Sequence, residues 1–153
     1  MLATDGQSQP KVLNMVNLLE DVVYLHEAHG VKLISNTSAL PVFADKTRLT
    51  RAFNNLVQNA LESRPGSPVQ VEVRVKTQHS KVVVEVHDDG QGIEPERISR
   101  IFEPKFTTKT HGLGLGLAMV RAIVVGAKGK IEVKSELNKG STFFVTLPLH
   151  EGE

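Results

Sequence analysis

Two asparagines spaced four residues apart, Asn55 and Asn59, are the first side chains whose types and spacing suggest chemistry. In a helix this spacing places both amides on one face, although asparagine is a poor helix former. Taken alone, a pair of solvated surface amides is the simpler interpretation. Amide oxygens are also neutral, hard ligands of the kind that Mg²⁺ accepts beside its waters. The pair is therefore a candidate magnesium site.

A second candidate is the segment Asp88-Asp89-Gly90-Gln91-Gly92-Ile93, which follows an alternating valine pattern. An ordinary polar turn has the same composition. A carboxylate at a strand end, followed by glycines that let a ligand approach the backbone, also suits a planar heterocycle. Asp88 could accept a hydrogen bond from the exocyclic amine of adenine, whereas guanine presents a carbonyl at the corresponding edge. The segment therefore predicts an adenine site.

Three alternating glycines form the most specific element. They open an apolar helical segment, where consecutive backbone N–H groups favour phosphate. No Gly-Lys-Ser/Thr follows, which excludes a Walker A loop, and the surrounding pattern is not that of a dinucleotide-binding fingerprint. A purely structural glycine hinge is the alternative. The predicted phosphate-binding residues are Gly112, Leu113, Gly114, Leu115, Gly116 and Leu117.

The loop from Phe102 to Lys109 lies between the two glycine clusters and carries two lysines and two threonine hydroxyls. This composition next to a phosphate site predicts a lid over a triphosphate, with Thr107, Thr108 and Lys109 as contacts. Lys109 is only three residues before Gly112, so we expect it to reach the phosphates. A solvated basic loop is the alternative, and Lys105 fits that interpretation.

Helical periodicity indicates the elements that must position these groups. Apolar residues at helical spacing predict a helix from Val12 to near Gly30. A second helix is predicted from Lys46 to Ser63, capped by Asp45 and stopped by a Pro-Gly pair. Its apolar stripe consists of Leu49, Phe53, Leu56 and Ala60. The segment from Gly114 to Val125 is apolar on nearly all sides and is predicted to be a buried helix.

Between these helices the period changes to two, which predicts strands. A short strand is expected at Val31 to Ser35. Two antiparallel hairpins are expected further on. Alternating helices and half-buried strands predict an α/β fold, a two-layer sandwich with all helices on one face of the sheet. The first hairpin joins Val69–Lys76 to Val82–Val86 through a loop at Thr77–Ser80, and the second joins Lys130–Ser135 to Ser141–Leu147.

Bulk composition limits the function classes. The chain has 153 residues, a formal net charge of +1 and no cysteine, so it is sized for one domain without disulfides or thiolate metal sites. Near-neutral charge and an aromatic content of 5% argue against nucleic-acid and membrane partners. Residues 1–10 are small and polar and are predicted to be a linker or an expression remnant, followed by one domain over residues 11–150.

Together the four segments resemble the catalytic and ATP-binding domain of bacterial sensor histidine kinases. The wider group, which includes gyrase, Hsp90 and the mismatch-repair ATPases, shares the same nucleotide fold. The resemblance implies a Bergerat-type fold with a mixed, mainly antiparallel sheet, and it extends from about Val12 to Leu149. The lid sequence Phe-Thr-Thr-Lys is most similar to the nitrogen-regulation branch. The matching motifs are Asn-Asn-Leu-Val-Gln-Asn-Ala (N box), Asp-Asp-Gly-Gln-Gly-Ile (first glycine box), Phe-Glu-Pro-Lys-Phe-Thr-Thr-Lys (F box) and Gly-Leu-Gly-Leu-Gly-Leu (second glycine box).

The resemblance assigns roles to the candidate residues. Asn59 is the implied Mg²⁺ ligand, and Asn55 is an implied phosphate or metal-shell contact with Lys109 as its catalytic companion. Asp88 is the implied adenine reader, and Thr142 is expected near the adenine. Gly90, Gly92 and Ile93 are implied beside the base, and the segment from Gly112 to Leu117 is implied to hold the phosphates.

Two positions depart from the family pattern. Glu62 replaces a basic residue that contacts phosphate in many relatives, and Ala127-Lys128-Gly129 replaces a more usual His-Gly-Gly. A third position separates kinases from ATPases, because the ATPases carry a glutamate where this chain has Asn55. A neutral amide cannot act as a general base near neutral pH, so we expect phosphoryl transfer and very slow hydrolysis.

The sequence contains no recognisable acceptor histidine. None of the six histidines shows the family's acceptor pattern or metal-ligand spacing. The resemblance therefore implies that ATP and Mg²⁺ bind here, while the acceptor lies on a separate histidine-bearing dimerisation domain that serves a response-regulator receiver domain. We expect no autophosphorylation of this chain alone, and a cytoplasmic location whether or not the full-length parent is membrane-anchored. The alternatives are a serine kinase of the anti-sigma type and a nucleotide-gated interaction module.

Overall fold

The computed structural model describes residues 9–104 and 116–151. A helical layer packs on a sheet whose centre is built from the alternating valines, as the period-two pattern predicts. The elements are β1 (Pro10–Asn14), α1 (Met15–Leu25), a 3-10 turn (Glu27–His29), β2 (Lys32–Ser35), β3 (Pro41–Asp45), α2 (Lys46–Leu61), β4 (Val71–Gln78), β5 (Lys81–Asp88), α3 (Pro95–Ile98), α4 (Gly116–Gly126), β6 (Lys130–Glu136) and β7 (Gly140–Pro148).

The main sheet has five strands in the order β2-β4-β5-β7-β6. Strand β2 is parallel to β4, and all other pairs are antiparallel. The buried face of this sheet packs against helices α1, α2 and α4. It carries the alternating valines Val71, Val73 and Val75 of β4 and Val82, Val84 and Val86 of β5, together with Phe143, Val145 and Leu147 of β7. The predicted two-layer α/β sandwich with a mixed, mainly antiparallel sheet is confirmed.

A small second sheet was not predicted. Strand β1 pairs antiparallel with β3, and Val12 lies opposite Phe43. The helix predicted from Val12 therefore begins only at Met15. Its cap explains the boundary, because the Asn14 side chain accepts the backbone N–H groups of Val16 and Leu40, each at 3.0 Å. Pro10, which we assigned to the linker, already belongs to β1.

Helix α2 forms as its sequence predicts. The Asp45 carboxylate accepts the Arg48 N–H at 3.1 Å and caps the first turn. The predicted apolar stripe is buried against the core, with Phe53 fully inaccessible. The helix ends at Leu61, two residues before the predicted end, and Ser63 lies in the turn that follows.

Other differences from prediction concern the first hairpin, in which β4 begins at Val71 rather than Val69, and the burial of α4. The turn between β4 and β5 contains only His79 and Ser80, both with positive φ, because two left-handed residues match the twist of a tight hairpin. Helix α4 is less buried than predicted. Only Val120 and Val124 are buried and Val125 is 56% exposed, because the helix packs against α2 and β6 on one side. Within the described residues no helix is long and apolar enough to cross a membrane.

Candidate active site

Asp88 is the last residue of β5 and is only 2% exposed. Its Oδ1 atom accepts the backbone N–H of Gly90 at 2.8 Å and the hydroxyl of Ser63 at 3.1 Å. Burial raises the pKa of Asp88 above its ordinary value, and the hydrogen bonds from Gly90, Ser63 and Ser141 partly offset this rise. A buried carboxylate held in this way is a fixed hydrogen-bond acceptor at the end of a strand.

The loop after Asp88 is fixed on both sides by backbone hydrogen bonds. On one side, Gln91 N–H donates to the Ser63 carbonyl at 3.1 Å. On the other side, Ile93 N–H donates to Ser135 Oγ at 2.7 Å, and Asn138 N–H donates to the Gln91 carbonyl at 2.7 Å. The loop therefore lies between the end of α2 and the turn that joins β6 to β7.

The glycines of this loop have a structural reason that the sequence did not reveal. A Cβ atom on Gly90 would overlap the Ser63 side chain, and one on Gly92, which has a φ of 78°, would overlap the Glu136 carbonyl. We predicted that both glycines make room for a ligand. In the structure the room beside each is filled by the protein itself, so the glycines are required for loop packing.

The asparagine face of α2 meets the start of α4. The Asn55 Oδ1 atom lies 2.7 Å from the position that a Cβ on Gly116 would occupy. Asn59 lies one turn further along α2, and both asparagines are partly exposed. We predicted that the asparagine helix lies next to the second glycine cluster. The structure shows this contact at Gly116, the last glycine of that cluster. Leu117 is partly buried against the core.

Thr142 does not lie beside Asp88. The strand register pairs Thr142 with His87 and pairs Ser141 with Asp88. The Thr142 hydroxyl lies 2.7 Å from His87 Nδ1, on the face of the sheet opposite the buried Asp88 side chain. The structure therefore separates Thr142 from the predicted adenine reader, and Ser141, which is 5% exposed, occupies the place beside Asp88. Alternate residues of a strand lie on the same face, so counting back two positions from Phe143 would have identified Ser141 as a buried residue.

The structure adds two residues that sequence reasoning missed, Ser63 and Arg64. Arg64 follows the end of α2, and its guanidinium donates to the carbonyls of Asp89 at 2.7 Å and Gly90 at 3.3 Å. Glu62, the departure noted above, accepts a hydrogen bond from Gln58 at 2.6 Å. The other predicted contacts, namely Thr107, Thr108, Lys109, Gly112, Leu113, Gly114 and Leu115, lie outside the described residues.

A separate groove of about 830 Å³ lies near the start of α2, where Leu49, Ile123 and Leu147 contribute to its lining. Neither Asp88 nor the two asparagines line it, so it is not part of the candidate site. In the described part of the chain, no group of three or more His, Asp or Glu side chains could hold a metal ion.

A family model described as "Histidine kinase-, DNA gyrase B-, and HSP90-like ATPase" matches residues 44–151, which contain α2, Asp88 and Gly116. The chain belongs to this family. Among solved structures, the catalytic domain of histidine kinase ThkA is similar to this ATPase-family domain with a TM-score of 0.81 and 32% sequence identity, covering 92% of this chain and 96% of that one. The fold thus agrees with that of a histidine kinase catalytic domain.

Two curated sensor kinases are also similar to this histidine kinase-type domain. Sensor histidine kinase ZraS of Salmonella typhimurium is 38% identical over 121 residues, which cover 78% of this chain and 26% of ZraS. Autoinducer 2 sensor kinase/phosphatase LuxQ of Vibrio vulnificus is 35% identical over 119 residues, which cover 71% of this chain and 14% of LuxQ. The matched region is therefore a minor part of each of these longer kinases.

Proposed function

We propose that this chain binds Mg-ATP and transfers the γ-phosphoryl group to a histidine on a separate dimerisation domain. One observation carries the proposal: helix α2 touches both halves of the site. Its Asn55 lies against Gly116, and Ser63, just after its end, hydrogen-bonds Asp88. The candidate metal ligands and the candidate base reader are thus joined by a single rigid element.

The base end of this site fits adenine. The Asp88 carboxylate accepts hydrogen bonds from Ser63 and Gly90 through Oδ1, so its remaining lone pairs can accept a hydrogen bond from a ligand. The exocyclic amine of adenine is such a donor, whereas the carbonyl of guanine is not. We place Ser141 beside the base in the role first expected for Thr142, with Gly90, Gly92 and Ile93 forming the adjoining loop.

The asparagine end fits a magnesium triphosphate. Amide oxygens are hard ligands, and Mg²⁺ needs few protein ligands because waters and phosphates supply the others. Asn59 would hold the ion, and Asn55 would contact it or a phosphate at the start of α4. When bound, the ion would neutralise charge on the phosphates. Backbone N–H groups from Gly112 to Leu117 would bind the phosphates, with Thr107, Thr108 and Lys109 as lid contacts.

Transfer is favoured over hydrolysis because Asn55 is not a base. Activation of water needs a group that accepts a proton near neutral pH, and an amide does not. The chain's own residues would instead bind the nucleotide and orient its terminal phosphate toward an acceptor imidazole. An acceptor on another domain agrees with the 26% share of ZraS that the matched region represents.

The proposal extends to the partners of this chain and to its location in the cell. ThkA, whose catalytic domain this chain resembles, has been solved in complex with a response regulator protein. We extend that pairing to this chain and expect a receiver domain as the final phosphoryl acceptor. We further propose a catalytic domain over residues 11–150, a cytoplasmic location and membership of the nitrogen-regulation branch, the last on the basis of the Phe106-Thr107-Thr108-Lys109 sequence.

Calorimetric titration tests the binding part of this proposal. We expect ATP to bind in the presence of Mg²⁺, more weakly after chelation, and GTP to bind at least about tenfold more weakly than ATP, which corresponds to one lost hydrogen bond to a charged group. Equal affinity for ATP and GTP would contradict the role of Asp88. No effect of Mg²⁺ on ATP binding would contradict the role of Asn59.

A further inference from the structure

Ser63 makes contacts to both α2 and Asp88. Its hydroxyl lies 2.7 Å from the Ala60 carbonyl and 3.1 Å from Asp88 Oδ1. A hydroxyl has one proton, so only one of these acceptors receives it at a time. The Ala60 carbonyl already accepts the Ser63 N–H at 3.2 Å. Since hydrogen bonds to charged acceptors are the stronger ones, the proton goes to the ionised carboxylate.

The backbone around Ser63 holds the same loop. The Ser63 carbonyl accepts Gln91 N–H at 3.1 Å, and Arg64 donates to the carbonyls of Asp89 and Gly90. There is no room for a side chain on Gly90, because Ser63 fills that space. The end of α2 therefore fixes the backbone that positions Asp88, as well as one oxygen of its carboxylate.

Counting acceptor sites shows what this arrangement leaves for a ligand. An ionised carboxylate has about four lone-pair sites. Both sites of Oδ1 are engaged by donors of the protein, Ser63 Oγ and Gly90 N–H. The lone pairs of Oδ2 can accept a hydrogen bond from a ligand. Without Ser63, Oδ1 would have an open site as well, and fewer contacts would define the orientation of the carboxylate.

We propose that Ser63 is a positioning residue that fixes the Asp88 carboxylate for the exocyclic amine of adenine and so sets base preference. This inference rests on the proposed Mg-ATP site. It assigns Ser63 no contact with the nucleotide. Ser63 affects nucleotide binding only by positioning Asp88, and only for nucleotides that carry the exocyclic amine.

Two nucleotides distinguish this role from a general structural role. The substitution Ser63→Ala should weaken binding of Mg-ATP about tenfold, because a misplaced Asp88 carboxylate loses its hydrogen bond to the adenine amine, which is a bond to a charged group. Binding of purine riboside triphosphate, which lacks the exocyclic amine, should change by less than about twofold, because that ligand makes no bond to Asp88. Ser35→Ala is the matched control, since its hydroxyl makes comparable local hydrogen bonds to Thr37 outside the site.

The double substitution Ser63→Ala with Asp88→Asn gives a second readout. If Ser63 acts through Asp88, adding Ser63→Ala to Asp88→Asn should not change the ratio of the ATP affinity to the purine riboside triphosphate affinity any further. An equal loss of affinity for both nucleotides in Ser63→Ala would overturn the inference, as would unchanged ATP binding. Failure of the unsubstituted chain to bind Mg-ATP at all would overturn the proposed function and the inference together.

Discussion

The two ends of the candidate site hold their polar side chains in different ways. At the base end, Asp88 is 2% exposed and its Oδ1 atom accepts two hydrogen bonds from the protein. At the asparagine end, Asn55 and Asn59 are partly exposed on α2, and Asn55 faces the start of α4. The base end is therefore assembled by folding, whereas the asparagine end is left open to a ligand. Substitutions at the first end should accordingly affect nucleotide affinity, and substitutions at the second end should affect the rate of phosphoryl transfer.

The largest effect is expected at the asparagine end. Asn59→Ala should lower the rate of phosphoryl transfer on the order of 100-fold, because a group that orients the metal and phosphates is lost. The melting temperature should stay within about 2 °C, since the side chain is partly exposed and alanine favours helix. Gln58→Ala, one residue away on the exposed face of α2, should leave transfer unchanged. A large fall in melting temperature for Asn59→Ala would remove the contrast between the two ends.

Asp88→Asn should mainly affect binding. The amide oxygen can still accept from Ser63 and Gly90, but the charge is lost, so Mg-ATP affinity should fall about tenfold. Asp89→Asn is the matched control, because Asp89 is exposed and its carboxylate accepts the Gln70 N–H at 2.8 Å outside the proposed contacts. Titration calorimetry on both variants measures the difference. Equal losses in the two variants would mean that Asp88 has no special role.

The pH dependence of stability tests the same end of the site. Burial raises the pKa of Asp88 in the folded chain above its ordinary value. The folded state therefore binds more protons than the unfolded state between these pKa values, and the contribution of Asp88 to stability increases as pH falls through the folded pKa. Relative to Asp88→Asn, the unsubstituted chain should gain stability as the pH falls from neutral toward the ordinary pKa of an aspartate. A constant difference in urea unfolding free energy over this range would contradict the assigned shift.

Two glycines of α4 provide a matched pair for the contact between the helices. Gly116→Ala places a Cβ 2.7 Å from Asn55 Oδ1 and should displace that side chain, whereas a Cβ on Gly126 meets nothing within 4 Å. Transfer should fall about tenfold in Gly116→Ala, because a group near the reacting phosphate is misplaced. Gly126→Ala should leave transfer unchanged. Similar transfer rates in the two variants would mean that the position of Asn55 does not affect the reaction.

The smallest effects are expected on β7. Ser141→Ala should lower ATP affinity about threefold, since a small polar group beside the base is removed. Thr142→Val should change affinity by less than about twofold, because its hydroxyl faces His87 across the sheet. If calorimetry showed a larger loss of affinity for Thr142→Val than for Ser141→Ala, Thr142 rather than Ser141 would lie near the adenine.

Local sequence signals predicted much of this fold. Asp45 as the cap of α2 and the alternating valines of β4 and β5 are consequences of local chemistry, and both are confirmed. Strand β1 was missed because Val12 lies at helical spacing from Met15 and Val16. Asn14, a favourable cap residue, marks the true boundary.

The site was predicted less completely, because part of it depends on tertiary contacts. Asp88 at a strand end and the asparagine pair on α2 follow from motif and period. Ser63 joins the site only because the end of α2 meets β5, residues 25 apart in sequence. The motif was read without the alternation of β7, which puts Ser141 rather than Thr142 on the buried face with Asp88.

Phosphoryl transfer with labelled ATP tests the central claim most directly. The chain is incubated with γ-labelled ATP, Mg²⁺ and a histidine-bearing dimerisation domain of the proposed kind, and label and ADP release are followed together. We predict acid-labile, alkali-stable label on the dimerisation domain, none on this chain alone, and very slow ADP release without the acceptor. Acid-stable label on a serine, or release of several ADP per second by the isolated chain, would contradict the account.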